Sequence, residues 1–317
     1  MSKTMLKSTC IRFVVGFALV GSLAFTIVIA GSDVGGGSTV LAQTVLTGDW
    51  TASLDKKTST KIHLTFERRN EKGNKNQMGQ GYDFAELQGL TREQVLNGGP
   101  VKFSVAREAG TIDCEGSFQN GKGSGTFRFT GNQSFVSAMK SRGFDFSEES
   151  IARDGRHSEE DRLFTATALN ITTALADDLS SAGFGKLGVD DLFKAAIFKV
   201  DAKFMREMKA SGFPNLGMEE LVKARIFKID ANFVAEVTQM GFDKEPFESL
   251  VKMRIFKVTP EFITEVRNEG LTNIPVEDIV KLRIFKIDSR FIRDAKADGV
   301  PLEVERLVQR RIGVAQK

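Results

Sequence analysis

Asp201-Ala202-Lys203-Phe204-Met205-Arg206-Glu207-Met208-Lys209-Ala210-Ser211-Gly212-Phe213, a short connection, then Met218-Glu219-Glu220-Leu221-Val222-Lys223-Ala224-Arg225-Ile226-Phe227-Lys228 make up the stretch on which the fold turns. Outward from it, Phe204 recurs as Phe233, Phe262 and Phe291, each 29 residues on, and Gly212 belongs to the series Gly183, Gly241, Gly270 and Gly299. A fixed period of this length marks stacked supersecondary units. Phe204 with Met208, and Leu221, Val222 and Ile226, fall at helical spacing, so each unit reads as two helices whose apolar stripes need a neighbour to cover them. Asp201, Asp230, Thr259 and Asp288 are the expected N-caps of the first helix, and the recurring glycine its left-handed end. Pro246 and Pro275 mark the start of the second helix in two copies.

Upstream, Asn170-Ile171-Thr172 with Leu175 and Gly183 aligns as a further unit, and Phe135 to Phe144 as the first helix of another, which gives six units. About eleven extra residues around Ile151 to Asp161 enlarge one connection, expected as a polar loop. Residues 44 to 131 read differently. Ile62 to Phe66, Val101 to Val105, Ile112 to Cys114 and Phe127 to Phe129 alternate with period two, and turn formers stand at Glu71 to Asn74, Asn97 to Pro100, Ala109-Gly110 and Asn120-Gly121. About six antiparallel strands follow, with Trp50 as a core plug, Cys114 buried, and His63 on the polar face. Thr91 caps a short helix between strands. The expected fold is α+β: a small antiparallel β sandwich or open barrel followed by an α-helical-hairpin array. Its segments are 1–42, a signal peptide or membrane anchor plus spacer; 43–131, the β module; and 132–317, the repeats.

Composition limits the chemistry. The chain has 317 residues, 44 Lys and Arg against 41 Asp and Glu, a formal charge of +3, two Cys and two His. Interleaved charge of both signs argues against nucleic acid as a partner. So few Cys and His argue against a zinc site, and no cofactor is expected. Gly116 to Gly123 starts like a phosphate loop, but Lys122 is followed by Gly123 and a strand, as a hairpin requires. Lys3, Lys7 and Arg12 precede the uncharged run Phe13 to Ala30, the pattern of an export signal, with cleavage expected after Ala42 or Ala30, or of an uncleaved anchor. The membrane is then met only through that segment, and residues 43 to 317 are expected outside the cytoplasm, whether periplasmic, secreted or anchored.

The repeats carry repeated charges. Asp190/Lys194, Glu219/Lys223, Glu248/Lys252 and Glu277/Lys281 stand four apart with the acid first, an arrangement that favours pairing within a helix. Arg225, Arg254, Arg283 and Arg311 border the apolar stripe, and Glu207, Glu236, Glu265 and Asp294 follow the core Phe by three, so an acid-to-arginine ladder between units is expected. Lys199, Lys228, Lys257 and Lys286 recur as a cationic stripe, the candidate partner-binding face, although acids alternate with them as on a solvated surface.

Gly48-Asp49-Trp50-Thr51, Gly89-Leu90-Thr91, Val101-Lys102-Phe103, Arg107 to Thr111, Gly121 to Phe127 and the unit Val258-Thr259-Pro260-Glu261-Phe262-Ile263 together resemble uncharacterised exported bacterial proteins with tandem helical-hairpin repeats. Similar segments are appended to BlaR/MecR-type membrane metallopeptidase sensors. The resemblance implies an extracytoplasmic sensing or interaction region. It carries no peptidase, because no His-Glu-x-x-His occurs here. Relatives with His-Gly after Arg-Ile differ from this chain, which has Phe-Lys, as in Arg283-Ile284-Phe285-Lys286. The leading expectation is a non-enzymatic module that binds a protein or peptide partner through the array. The alternatives are an envelope structural protein that binds an anionic polymer and a carboxylate-based hydrolase.

Overall fold

A computed structural model describes residues 46–54, 60–69, 75–147, 150–152 and 155–313. The expected signal, its cleavage sites and the turn at Glu71 to Asn74 lie outside the described residues. Strands β1 (Leu46–Leu54), β2 (Lys61–Arg69), β3 (Lys75–Asp83), β4 (Gly99–Arg107), β5 (Gly110–Gln119) and β6 (Lys122–Gly131) form one antiparallel sheet in the order β3-β2-β1-β6-β5-β4. The second layer over this sheet is helical, so the sandwich alternative is replaced by a single open sheet. Its two edges are bridged by the segment after β3, where Gln88 exchanges backbone hydrogen bonds of 2.9 and 2.8 Å with Ser104 of β4. Helix α1 (Arg92–Asn97) follows, with Thr91 accepting from the Gln94 amide at 3.3 Å as its cap requires.

Alternation places Trp50, Ile62, Leu64, Phe103, Ile112 and Phe127 on one buried face. Trp50 lies opposite Gly125 of β6, and Gly125 opposite Gly116 of β5. Glycine is required at 116 because a Cβ there would stand 2.7 Å from Trp50 Cζ2 and 2.8 Å from Gly125 Cα. The indole Nε1 donates to the Glu115 carbonyl at 3.1 Å, which satisfies the one polar atom of the plug. Asn120 and Gly121 turn the β5–β6 hairpin with φ of 52° and 73°, the left-handed pair a two-residue hairpin needs.

Helices α2 (Gln133–Lys140) and α3 (Glu159–Leu169) are joined through the short hairpin β7 (Ser150–Ala152) and β8 (Gly155–His157). The expected polar loop is thus partly a β-ribbon. Phe164 of α3 stacks on Phe127 at 5.2 Å and meets Phe66 and Phe129 edge-on, so one core runs from the sheet into the helices. Beyond it come α4 (Thr173–Ser181), α5 (Val189–Phe198), α6 (Ala202–Ala210), α7 (Met218–Phe227), α8 (Ala231–Gln239), α9 (Phe247–Ile255), α10 (Pro260–Asn268), α11 (Val276–Ile284), α12 (Ser289–Ala297) and α13 (Val304–Arg311). Helices α3, α5, α7, α9, α11 and α13 pack side by side in that order. On the other layer α2 packs on α4, α4 on α6, and α10 on α12. Residues 44 to 317 form one compact unit, and the change from strand to helix falls between Gly131 and Gln133.

The caps follow the sequence. Asp201, Asp230, Thr259 and Asp288 accept from the amides of Phe204, Phe233, Phe262 and Phe291 at 2.7, 2.9, 3.3 and 2.8 Å. Gly183, Gly212, Gly241, Gly270 and Gly299 close the first helices with φ between 68° and 107°. Among the described residues no helix is long and apolar enough to cross a membrane.

Candidate functional site

The charged rows resolve into two joints between neighbouring hairpins. Lys194 meets Glu219 at 2.6 Å, Lys223 meets Glu248 at 2.8 Å, Lys252 meets Glu277 at 2.6 Å, and Lys281 meets Glu305 at 3.7 Å. Each lysine therefore reaches forward to the next second-layer helix. The expected four-residue pairs do not form, because neighbouring helices stack side by side and bring the next glutamate alongside. Within their own helices these lysines keep, among the described residues, only the three-residue pairs Asp191/Lys194 at 3.8 Å and Asp278/Lys281 at 3.0 Å. Donating hydrogen bonds to Glu219 and Glu248 makes Lys194 and Lys223 hold their protons more tightly, and Asp278 as acceptor does the same for Lys281.

The acid-to-arginine ladder is not formed: among the described residues no ion pair joins Arg225, Arg254, Arg283 or Arg311 to Glu207, Glu236, Glu265 or Asp294. Glu207 faces Lys203 at 3.8 Å instead. The guanidinium groups lie over the core phenylalanines of their own hairpins, Arg225 over Phe204 at 3.8 Å, Arg254 over Phe233 at 3.6 Å, Arg283 over Phe262 at 4.8 Å and Arg311 over Phe291 at 5.1 Å. Three of them also donate back to the preceding second-layer helix end: Arg254 to the Lys228 carbonyl, Arg283 to that of Phe256, Arg311 to that of Phe285, each at 3.0 Å. A flat cation can cover an aromatic face and cap a helix C-terminus at once, and the carbonyls there carry the negative end of the helix dipole.

Lys199, Lys228, Lys257 and Lys286 are all exposed, and each is the left-handed C-cap of a second-layer helix or the residue just past that cap, with φ of 57°, 55°, 54° and 53°. Asn170 holds the same place after α3, with φ of 57°. Sequence reading located the lysine row but missed its backbone, since lysine gives no signal for positive φ as glycine or asparagine does. It also missed the row beside it. Ile197, Ile226, Ile255, Ile284 and Ile312 are 54, 54, 48, 47 and 56% exposed, although helical spacing placed Ile226 within the apolar stripe. Phe198, Phe227, Phe256 and Phe285, between isoleucine and lysine, are half-buried. Among the described residues no ion pair engages the four lysines.

At α3 the corresponding edge is covered. Arg107 of β4 donates to the carbonyls of Thr167 and Ala168 at 2.9 and 2.7 Å, Tyr82 of β3 donates to Ala168 at 3.1 Å, and Gln80 donates to the same oxygen. Arg107 also lies 5.0 Å over the Tyr82 ring and pairs with Glu86 at 2.7 Å.

Elsewhere, an open depression of about 800 Å³ on the sheet is bordered by Asp49, Lys102, Asp113, Glu115 and Arg128, with Lys102 and Glu115 paired across it. Cys114 is a free thiol, buried, and burial pushes its proton affinity up, away from the thiolate that reactive cysteines use. His63 is exposed. Among the described residues no group of three or more His, Cys, Asp or Glu is placed to hold a metal ion. Comparison with protein-family models, with curated proteins and with solved structures finds no match.

Proposed function

We propose that this chain is a non-enzymatic extracytoplasmic interaction module, built of six copies of the helical hairpin and binding a protein or peptide partner along the array. The observation that carries this is the exposed isoleucine row, with unpaired lysines two residues on, held at one edge of successive second-layer helices. Stacked helical units favour extended binding surfaces, because every unit presents the same positions in line. The exported repeat proteins it resembles give the same expectation, and the Phe13 to Ala30 run would deliver the array to the outside. The lysines also keep an anionic polymer in view as the alternative ligand.

A photo-crosslinking residue placed at Lys257 in the full chain, in its native cell, tests the proposal against the same probe at Glu236 on the other layer. A discrete protein adduct at 257 and not at 236, persisting at high salt, is the expected result. Polymer recovered only at low salt would move the assignment to the structural alternative, and silence at both positions would remove the module reading.

A further inference from the structure

The chain spells Ile-Phe-Lys identically at 197–199, 226–228, 255–257 and 284–286. Other exposed positions of the same units drift: 203, 232, 261 and 290 are Lys, Asn, Glu and Arg, and 206, 235, 264 and 293 are Arg, Ala, Thr and Arg. Folding accounts for neither constant residue. An isoleucine half in water gives up much of its burial energy, and a lysine at positive φ carries a steric cost that asparagine or glycine would relieve. One unit earlier the same place reads Ala168-Leu169-Asn170, and there an occupant is visible. Alternate side chains of the edge strand β3, Gln80 and Tyr82, converge with Arg107 on the Ala168 carbonyl. At α7, α9 and α11 the end carbonyls are capped by Arg254, Arg283 and Arg311 instead, which leaves the isoleucine and lysine side chains of α5, α7, α9 and α11 facing solvent.

We propose that this Ile-Phe-Lys edge docks an extended, acidic segment of a partner protein with an apolar residue at every third position. The proposal rests on the interaction-module reading and specifies its partner. Neighbouring packed helices lie about 8–10 Å apart, which sets the interval expected between the isoleucines of successive helices. An extended chain of the polyproline type rises about 3.1 Å per residue with three residues per turn, so every third side chain returns to one face after about 9 Å. Carboxylates at the intervening positions meet Lys199, Lys228, Lys257 and Lys286, whose charges have no partner among the described residues. Such a segment is already extended when free, which limits the ordering entropy that binding must overcome.

The probe is a labelled peptide of five Leu-Glu-Pro repeats, titrated by fluorescence anisotropy against the full chain. It should bind, and a Leu-Lys-Pro counterpart should bind about tenfold or more weaker. Two triple variants, Ile226→Ser with Ile255→Ser and Ile284→Ser, and Lys228→Asn with Lys257→Asn and Lys286→Asn, should each weaken the acidic peptide about tenfold. Asparagine suits the left-handed backbone, so the lysine variant should melt no lower than the parent, which separates lost binding from lost folding. Equal affinity for both peptides, or unchanged affinity in both variants, overturns the proposal. So does capture of phosphatidylglycerol vesicles without the peptide, which would make the edge a lipid surface, or a dimer abolished by the isoleucine changes, which would make it a self-association surface. An adduct at position 257 with no affinity for the acidic peptide would leave the module reading standing and sink the extended acidic segment alone.

Discussion

Lys228 and Gly212 sit at the two ends of one unit and share a left-handed backbone, with φ of 55° and 99°, yet substitution should move stability in opposite directions. Nothing lies within 4 Å of a Cβ built on Gly212, so Gly212→Ala suffers only the backbone penalty and should lose about 1 kcal/mol. Lys228→Asn removes a bulkier side chain from the same region and should gain a few tenths up to about 1 kcal/mol. Urea midpoints of the two variants check both signs. Arg254 makes a second pair of expectations. Its group covers Phe233 and caps the Lys228 carbonyl, so Arg254→Lys should cost about 0.5–1 kcal/mol, while Glu236→Gln should be neutral. A costly Glu236→Gln would restore the ladder that the structure replaces.

At the scale of elements, the helices and their caps were legible because each copy restates the same signals: an Asp or Thr before the Phe, a Gly after the last turn. Strands β2, β4, β5 and β6 were legible from alternation around Phe66, Phe103, Cys114 and Phe127, and β1 only through Trp50. Strand β3 was not, because Met78 is the one large apolar residue from Lys75 to Gly81 and only Tyr82 is fully buried. The partners of the charged rows were hidden for another reason. Spacing within a helix says which residues share a face, but whether Lys223 turns to Glu219 or to Glu248 depends on how the next helix stacks. The clamp on α3 was equally out of reach, since Gln80, Tyr82 and Arg107 come from opposite edges of the sheet. Tyr82→Phe deletes a buried hydrogen bond to Ala168 and should cost about 1 kcal/mol. Loss of cooperativity between sheet and array, seen as two melting transitions by near- and far-ultraviolet circular dichroism, would mean that the clamp does more than hold one bond.

Over the whole molecule, the joints set the response to pH and salt. The folded-state values of Lys194, Lys223 and Lys281 are raised above the unfolded lysine value of 10.5 by their acid partners. Their contribution is therefore complete below pH 10.5 and is lost as pH rises through the higher folded values. At the acid end, hydrogen bonds from Ser147 and Lys140 hold Asp145 down to about 2 from 3.8, so its contribution disappears only as pH falls from the unfolded value toward 2. Melting temperature should accordingly be flat through neutrality and fall above about pH 10.5, with the alkaline fall smaller in high salt because exposed pairs are screened. A steep decline between pH 6 and 9 would contradict this.

The lysine-to-glutamate joint between α7 and α9 is repeated in kind between α9 and α11, which makes the couplings interchangeable. Copying residues 230–258 in tandem should lengthen the array by one hairpin without redesigning any core, and such a chain should melt at least as high as the parent with added helical signal. Reach is then a heritable variable: a lineage could fit a longer or shorter ligand by gaining or losing whole units through recombination, while the fold of each unit stays untouched.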